Sequence, residues 1–202
     1  MKNAIALAAV AGIASAAAAQ TATLNIVASQ SVVDSTATTQ ITLSVYGSAD
    51  FGTHIAGGAF SLSAAGGAGV VGGMAASAAD WGAFGQNDRG DAGDGNHTGL
   101  VFGQLIAPPF FPPSEDSNFT GGEVLLGSFV VDIIADSAGI VDWTVGADPI
   151  GAFVLEIFDE ADGSLTQVTA ASYGSARVEV VPAPSAMALL GLGGIVAGRR
   201  RR

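Results

Sequence analysis

In the stretch ITLSVYG, Ile41, Leu43 and Val45 alternate with Thr42 and Ser44. Successive side chains of an extended chain point to opposite faces, so a period of two predicts a strand with one buried face and one wet face. The alternation returns in IVDWTV, where Val141, Trp143 and Val145 oppose Asp142 and Thr144. Short runs rich in Val, Ile, Leu, Phe and Thr, bounded by Gly, Asp and Ser, extend the prediction. The full set is residues 23–28, 40–46, 59–62, 100–106, 124–134, 140–145, 153–158, 165–169 and 176–180. Residues 155–169, LEIFDEADGSLTQVT, read as a hairpin that turns at residues 159–164. Only MAASAADWGAF, residues 74–84, reads as a short helix.

Many short strands without a strand–helix–strand rhythm predict an all-β fold. The expected architecture is a single β-sandwich of jelly-roll or Greek-key connectivity over residues 20–180. Residues 85–113 interrupt the pattern. GQNDRGDAGDGNHTG is acidic and glycine-rich, and APPFFPP is rigid, apolar and extended. Together they predict a long surface loop, the usual place for function on a sandwich.

The two ends carry different information. Lys2, an apolar run and Ala17-Ala18-Ala19 before Gln20 compose a secretory signal peptide over residues 1–19, cut between Ala19 and Gln20 by signal peptidase. At the other end, residues 185–198 hold no charge and Arg199, Arg200, Arg201 and Arg202 follow. As a transmembrane helix those fourteen residues reach about 21 Å. A hydrocarbon core is about 30 Å thick, so the span is a marginal anchor. The arginines stop it on the cytoplasmic side and leave the body outside.

Once the ends are set apart, two arginines face all eighteen acids, a net charge of −16 for residues 20–184. Such a body does not bind nucleic acid or an anionic bilayer by charge. Cysteine is absent, which excludes disulfides, thiol catalysis and Cys-ligated zinc. An exported domain of this kind must cohere through its core alone.

Val181, Pro182, Ala183 and Pro184, a serine, a Leu/Gly-rich run and the arginine cluster follow in one order. This resembles the PEP-CTERM sorting signal, which places residues 181–202 in that role. Pro182 and Pro184 match the motif prolines, and Ala183 stands where the family usually has Glu. The resemblance implies a membrane protease-transpeptidase of the exosortase type as partner, together with the export machinery. It also implies transient anchoring in the inner membrane before release to the cell surface or matrix. A looser resemblance of layout links TLSVYG, GGAFSLS, GEVLLGSFVVDII and GIVDWTV to cohesin-like and carbohydrate-binding sandwiches, and implies no site residues.

Candidate chemistry is sparse. Asp88, Asp91, Asp94 and Asn96 offer four oxygen-bearing side chains on a glycine-rich segment, either a solvated acidic loop or a calcium loop. Their spacing is not the alternate-residue pattern of an EF-hand. Arg89-Gly90-Asp91 is a chance tripeptide in an Asp/Gly-rich run. His54 and His97 are the only groups whose ordinary titration lies near neutrality, and both read as loop residues without nucleophile context. Trp143 belongs to a core face, whereas Trp81 sits among small residues, as an exposed sugar-stacking platform would. The composite expectation is an exported, non-catalytic structural or adhesive protein. A polysaccharide-binding module, with exopolysaccharide as ligand, is the alternative, and a secreted hydrolase is the third reading.

The first expected outcome concerns the N-terminus. Sequencing of the exported protein should start at Gln20, and a mature chain that still carries Met1 would refute the signal segment.

Overall fold

The structure, a computed structural model, describes residues 21–50, 52–81, 87–114, 123–151, 154–170 and 172–182. The expected signal helix and the tail helix lie outside them. Among the described residues no helix is long and apolar enough to cross a membrane.

These residues form fourteen strands. They are β1 (Ala22–Ala28), β2 (Val32–Asp34), β3 (Thr39–Ala49), β4 (Thr53–Ala65), β5 (Val71–Ala78), β6 (Asn87–Asp88) and β7 (Asp91–Gly93), then β8 (Asn96–Gly103), β9 (Val124–Ile133), β10 (Gly139–Ala147), β11 (Leu155–Asp159), β12 (Leu165–Val168), β13 (Ser172–Tyr173) and β14 (Ser175–Val181). One sheet has the order β13-β1-β3-β9-β5. The other runs β12-β11-β4-β10-β14-β2, with β8 on the opposite edge of β4 and β6 and β7 on β8. The described residues form an all-β sandwich.

The predicted alternation holds where a strand has one buried face. Ile41, Leu43 and Val45 of β3 are buried, and so are Val141, Trp143 and Val145 of β10. They meet Phe60, Phe129, Ile133 and Leu100 from the facing strands in one continuous core. The ring of Phe60 stands edge-on to Phe129 with centroids 6.0 Å apart, a favoured aromatic geometry. Each large apolar side chain removed from water contributes about 1.5–3 kcal/mol, and this core carries the stability of a chain with no disulfide.

Three expectations need correction. Residues 74–78, read as helical, are part of strand β5, where the ladder to β9 overrides the helix preference of alanine. The segment read as one long loop contains β6, β7 and the start of β8, whose later half falls in the strand predicted at residues 100–106. Strand β4 begins six residues before the predicted start at residue 59. Its first half is buried on both sides, Ile55 by the main core and Ala56 by Ile106 and Phe158, so no alternation shows. The hairpin β11–β12 turns where predicted, with the Asp159 amide donating to the Ser164 carbonyl at 2.9 Å.

Gly174 closes one side of the sandwich. The chain passes there from β13, in the first sheet, to β14, in the second. The Gly174 amide donates to the Leu24 carbonyl at 2.8 Å, and its own carbonyl accepts from Val145 at 3.1 Å. One residue is thus bonded into both layers. A Cβ added here would lie 2.9 Å from the Asn25 Cα and 2.6 Å from its Oδ1, so only glycine fits. The strands also define two poles. The end of β14 lies beside β2 and the start of β10, whereas the starts of β1 and β4 and the end of β8 lie at the other pole.

Gly174→Ala should therefore destabilise the protein by about 1–3 kcal/mol, the usual cost of overpacking. An unchanged urea midpoint would show that the corner tolerates a side chain.

Candidate functional site

The other side of the sandwich is closed by the acidic segment. Gly93, Asp94 and Gly95 take φ of 84°, 53° and 84°, a left-handed turn that aspartate tolerates better than most residues. This reverses the chain between β7 and β8. Asp91 then accepts from the Gly93 amide at 2.8 Å through Oδ1, and from the Met74 amide at 3.0 Å through Oδ2. Met74 lies on β5, the edge strand of the first sheet, so this carboxylate joins the two layers. Asn96 accepts from the Ala64 amide at 2.9 Å and donates to the Gly93 carbonyl at 3.0 Å. Trp143 reaches from the core to donate its indole N–H to the Gly95 carbonyl at 3.0 Å.

The same segment holds His97, buried on β8. Its Nδ1 accepts from the Gly99 amide at 3.2 Å, which leaves Nε2 to donate to Asp88 Oδ1 at 2.7 Å. The ring packs against Phe129 with centroids 4.9 Å apart. Asp88 also accepts from the Gly90 amide at 2.8 Å. Arg89 pairs with Asp148, whose side chain is 2% exposed, and so ties the segment to the connection after β10. His54 sits buried on β4, with Nε2 2.5 Å from Glu160 Oε1 beside the β11–β12 turn. Both histidines are strand residues packed in the body, not the loop residues expected.

Asp88, Asp91 and Asn96 are therefore brought together as the fasteners of one hairpin, while Asp94 is exposed at its tip. Among the described residues, no group of three or more His, Cys, Asp or Glu side chains converges to hold a metal ion. The Asp88, Asp91 and Asn96 side-chain oxygens accept from peptide N–H groups, and Asp88 also from His97. In the β11–β12 turn, hydrogen bonds from Ser164, hydroxyl and amide, hold the Asp162 carboxyl below the ordinary aspartate value.

Trp81 is corrected as well. It is 6% exposed and stands edge-on to Phe102 with centroids 5.6 Å apart, so it is a core residue and not an exposed platform. Among the described residues, the exposed aromatics are Phe110, 83% exposed, and Phe111. They flank a groove of about 260 Å³ floored by Trp81, at the pole opposite the end of β14. The sequence placed the APPFFPP run on a surface loop, without singling out its phenylalanines. A second cleft, of about 170 Å³, lies between Leu24, Leu155, Val168 and Tyr173. Burial pushes the Tyr173 phenol above the ordinary tyrosine value.

Of the sorting residues, Val181 ends β14 and Pro182 follows it. Ala183, Pro184 and Arg199, Arg200, Arg201 and Arg202 lie outside the described residues, as do Ala19 and Gln20. The PEP-CTERM protein-sorting motif matches residues 180–202. The chain thus carries the sorting signal of an exported protein with a C-terminal membrane-anchoring step. No curated protein matches the chain. Among solved structures, the seventh ScaB type I cohesin from Pseudobacteroides cellulosolvens is similar over 80% of this chain and 94% of its own, at 13% identity and a TM-score of 0.43. A type II cohesin domain from the cellulosome of Acetivibrio cellulolyticus aligns over 78% and 95%, at 11% identity and 0.45. A type I cohesin of Clostridium thermocellum, solved with its dockerin, aligns over 79% and 99%, at 12% identity and 0.45.

Asp91→Ala should cost about 0.5–1.5 kcal/mol in chemical denaturation, since it removes the hydrogen bond to the Met74 amide at the exposed sheet edge. Asp91→Asn keeps one acceptor oxygen and should lose about half as much. Equal stability of all three proteins would show that the hairpin does not fasten the layers.

Proposed function

We propose that this chain is a non-catalytic structural or adhesive protein, processed by an exosortase-type membrane enzyme and delivered to the cell surface or extracellular matrix. The sorting motif at residues 180–202 supplies the route. The observation that carries the rest is how the body uses its reactive side chains. His97 commits both ring nitrogens to holding the hairpin, and the carboxylates around it cap peptide groups. Catalysis needs such groups aimed at a substrate, whereas here they are bonded to the protein itself.

Charge supports the same reading. A body of −16 keeps its copies apart in dilute buffer, and divalent cations screen or bridge that charge in a matrix. Exopolysaccharide would be a fellow component of such a matrix. The polysaccharide-binding alternative had Trp81 as its platform, and a buried indole lends it no support.

The exported protein should be a monomer at low ionic strength and should associate when millimolar calcium or magnesium is added, as read by light scattering. Deleting the gene should weaken biofilm or aggregate cohesion without removing any metabolic reaction. Saturable turnover of an ester, peptide or glycoside, abolished by substitution of His54 or His97 in a protein that still folds, would overturn the proposal in favour of a hydrolase.

A further inference from the structure

The sorting motif starts inside the fold. It spans residues 180–202, and β14 runs Ser175–Val181, so Val180 and Val181 belong to both. β14 is an interior strand. Val180 pairs with Gly139 of β10 on one side and with Val33 of β2 on the other, and Val181 pairs with Asp34. The Val181 carbonyl oxygen is held by a single residue, Ser35. The Ser35 amide donates to it at 3.1 Å, and the Ser35 hydroxyl lies 3.2 Å away. That hydroxyl also donates to the Ser137 carbonyl at 2.5 Å, and the Ser35 carbonyl accepts from the Asp136 amide at 2.6 Å. Ser35 is fully buried. The Val181 carbonyl is therefore fastened into a buried polar knot, and the ladder ends at Pro182, which has no amide to donate.

A processing enzyme must bring a nucleophile against the carbonyl carbon it attacks, with the chain on both sides within reach. The Val181 carbonyl does not offer that while β14 is paired. We infer that the amide bond broken when the tail is processed lies on the C-terminal side of Pro182, and that Ser35 is the clasp that sets this upstream limit. One C–N bond breaks; the acyl carbon passes to water or to an amine acceptor, and the departing tail leaves with a protonated amine. The inference rests on the sorting-tag reading, but not on whether the body is adhesive. Its spatial corollary is tight. Only residues 182–184 separate the strand from the uncharged run that begins at Ser185, a reach of about 10 Å even when extended. Until the tail is cut, the pole that carries β2 and the end of β14 is held close to the bilayer.

The test uses the full chain in an exporting host that processes the tag. Intact-mass measurement and C-terminal peptide mapping of the released protein should find an end at Pro182 or beyond it and short of the arginines. An end at Val181 or upstream would overturn the inference, and so would a released chain that still ends at Arg202. Hydrogen exchange on the unprocessed chain in detergent tests the clasp separately. Amides of residues 175–181 should be protected, with exchange about tenfold faster or more in Ser35→Ala. Ser35→Thr, which keeps the hydroxyl, should stay close to the parent. Equal exchange in parent and Ser35→Ala would remove the Ser35 hydroxyl from the role. If Ser35→Ala does not fold, mapping of the parent's end decides the position of the cut alone.

Discussion

A sandwich of two sheets has two open sides, and the backbone groups along each must be satisfied by something. A disulfide often ties layers together in exported domains, but this chain has no cysteine. Its layers are joined by hydrogen bonds from residues that belong to neither face of the core. On one side Gly174 places its own amide and carbonyl in different sheets. On the other, Asp91 reaches from the hairpin to the Met74 amide of β5. Both depend on close approach, of a bare glycine in one case and of a short carboxylate on a tight turn in the other.

That requirement explains where the polar residues went. A buried polar group is costly unless it is bonded, and a bonded one fixes position as an apolar contact does not. Asn96 and Ser35 are placed so that their side chains satisfy main-chain atoms on segments distant in sequence, and His97 bonds the nearby Gly99 amide and the Asp88 carboxylate. The hairpin looks like a surface decoration by composition. In the fold it is a side wall, with Trp143 of the core bonded to its backbone.

The sequence was most readable where one strand face met water. β3 and β10 alternate because each has a core on one side only. The first half of β4 was hidden by burial on both sides, and β5, VGGMAASA, by residues too small to carry a pattern. β5 is a strand because β9 and Asp91 make it one, which is tertiary context. The acidic segment misled for a related reason: its glycines predicted a loop, and they supply instead the left-handed turn between β7 and β8. Trp81 has small neighbours in sequence, but its partner Phe102 is remote. The sorting signal was fully legible, since its meaning lies in the local order of prolines, apolar run and arginines. What the sequence did not reveal is that the signal begins in a paired strand.

That overlap has a mechanical side. A pull on the tail enters the domain at Val181 and runs along β14. Strand hydrogen bonds lie across the strand direction, so with the far pole held, tension shears the ladder from Gly139–Val180 to Thr144–Ser175 as a set and does not peel it pair by pair. At its other end the strand continues into Gly174, which is bonded to both sheets. Tension on the tether is therefore shared by two layers at once, as in a strap stitched through both sides of a seam.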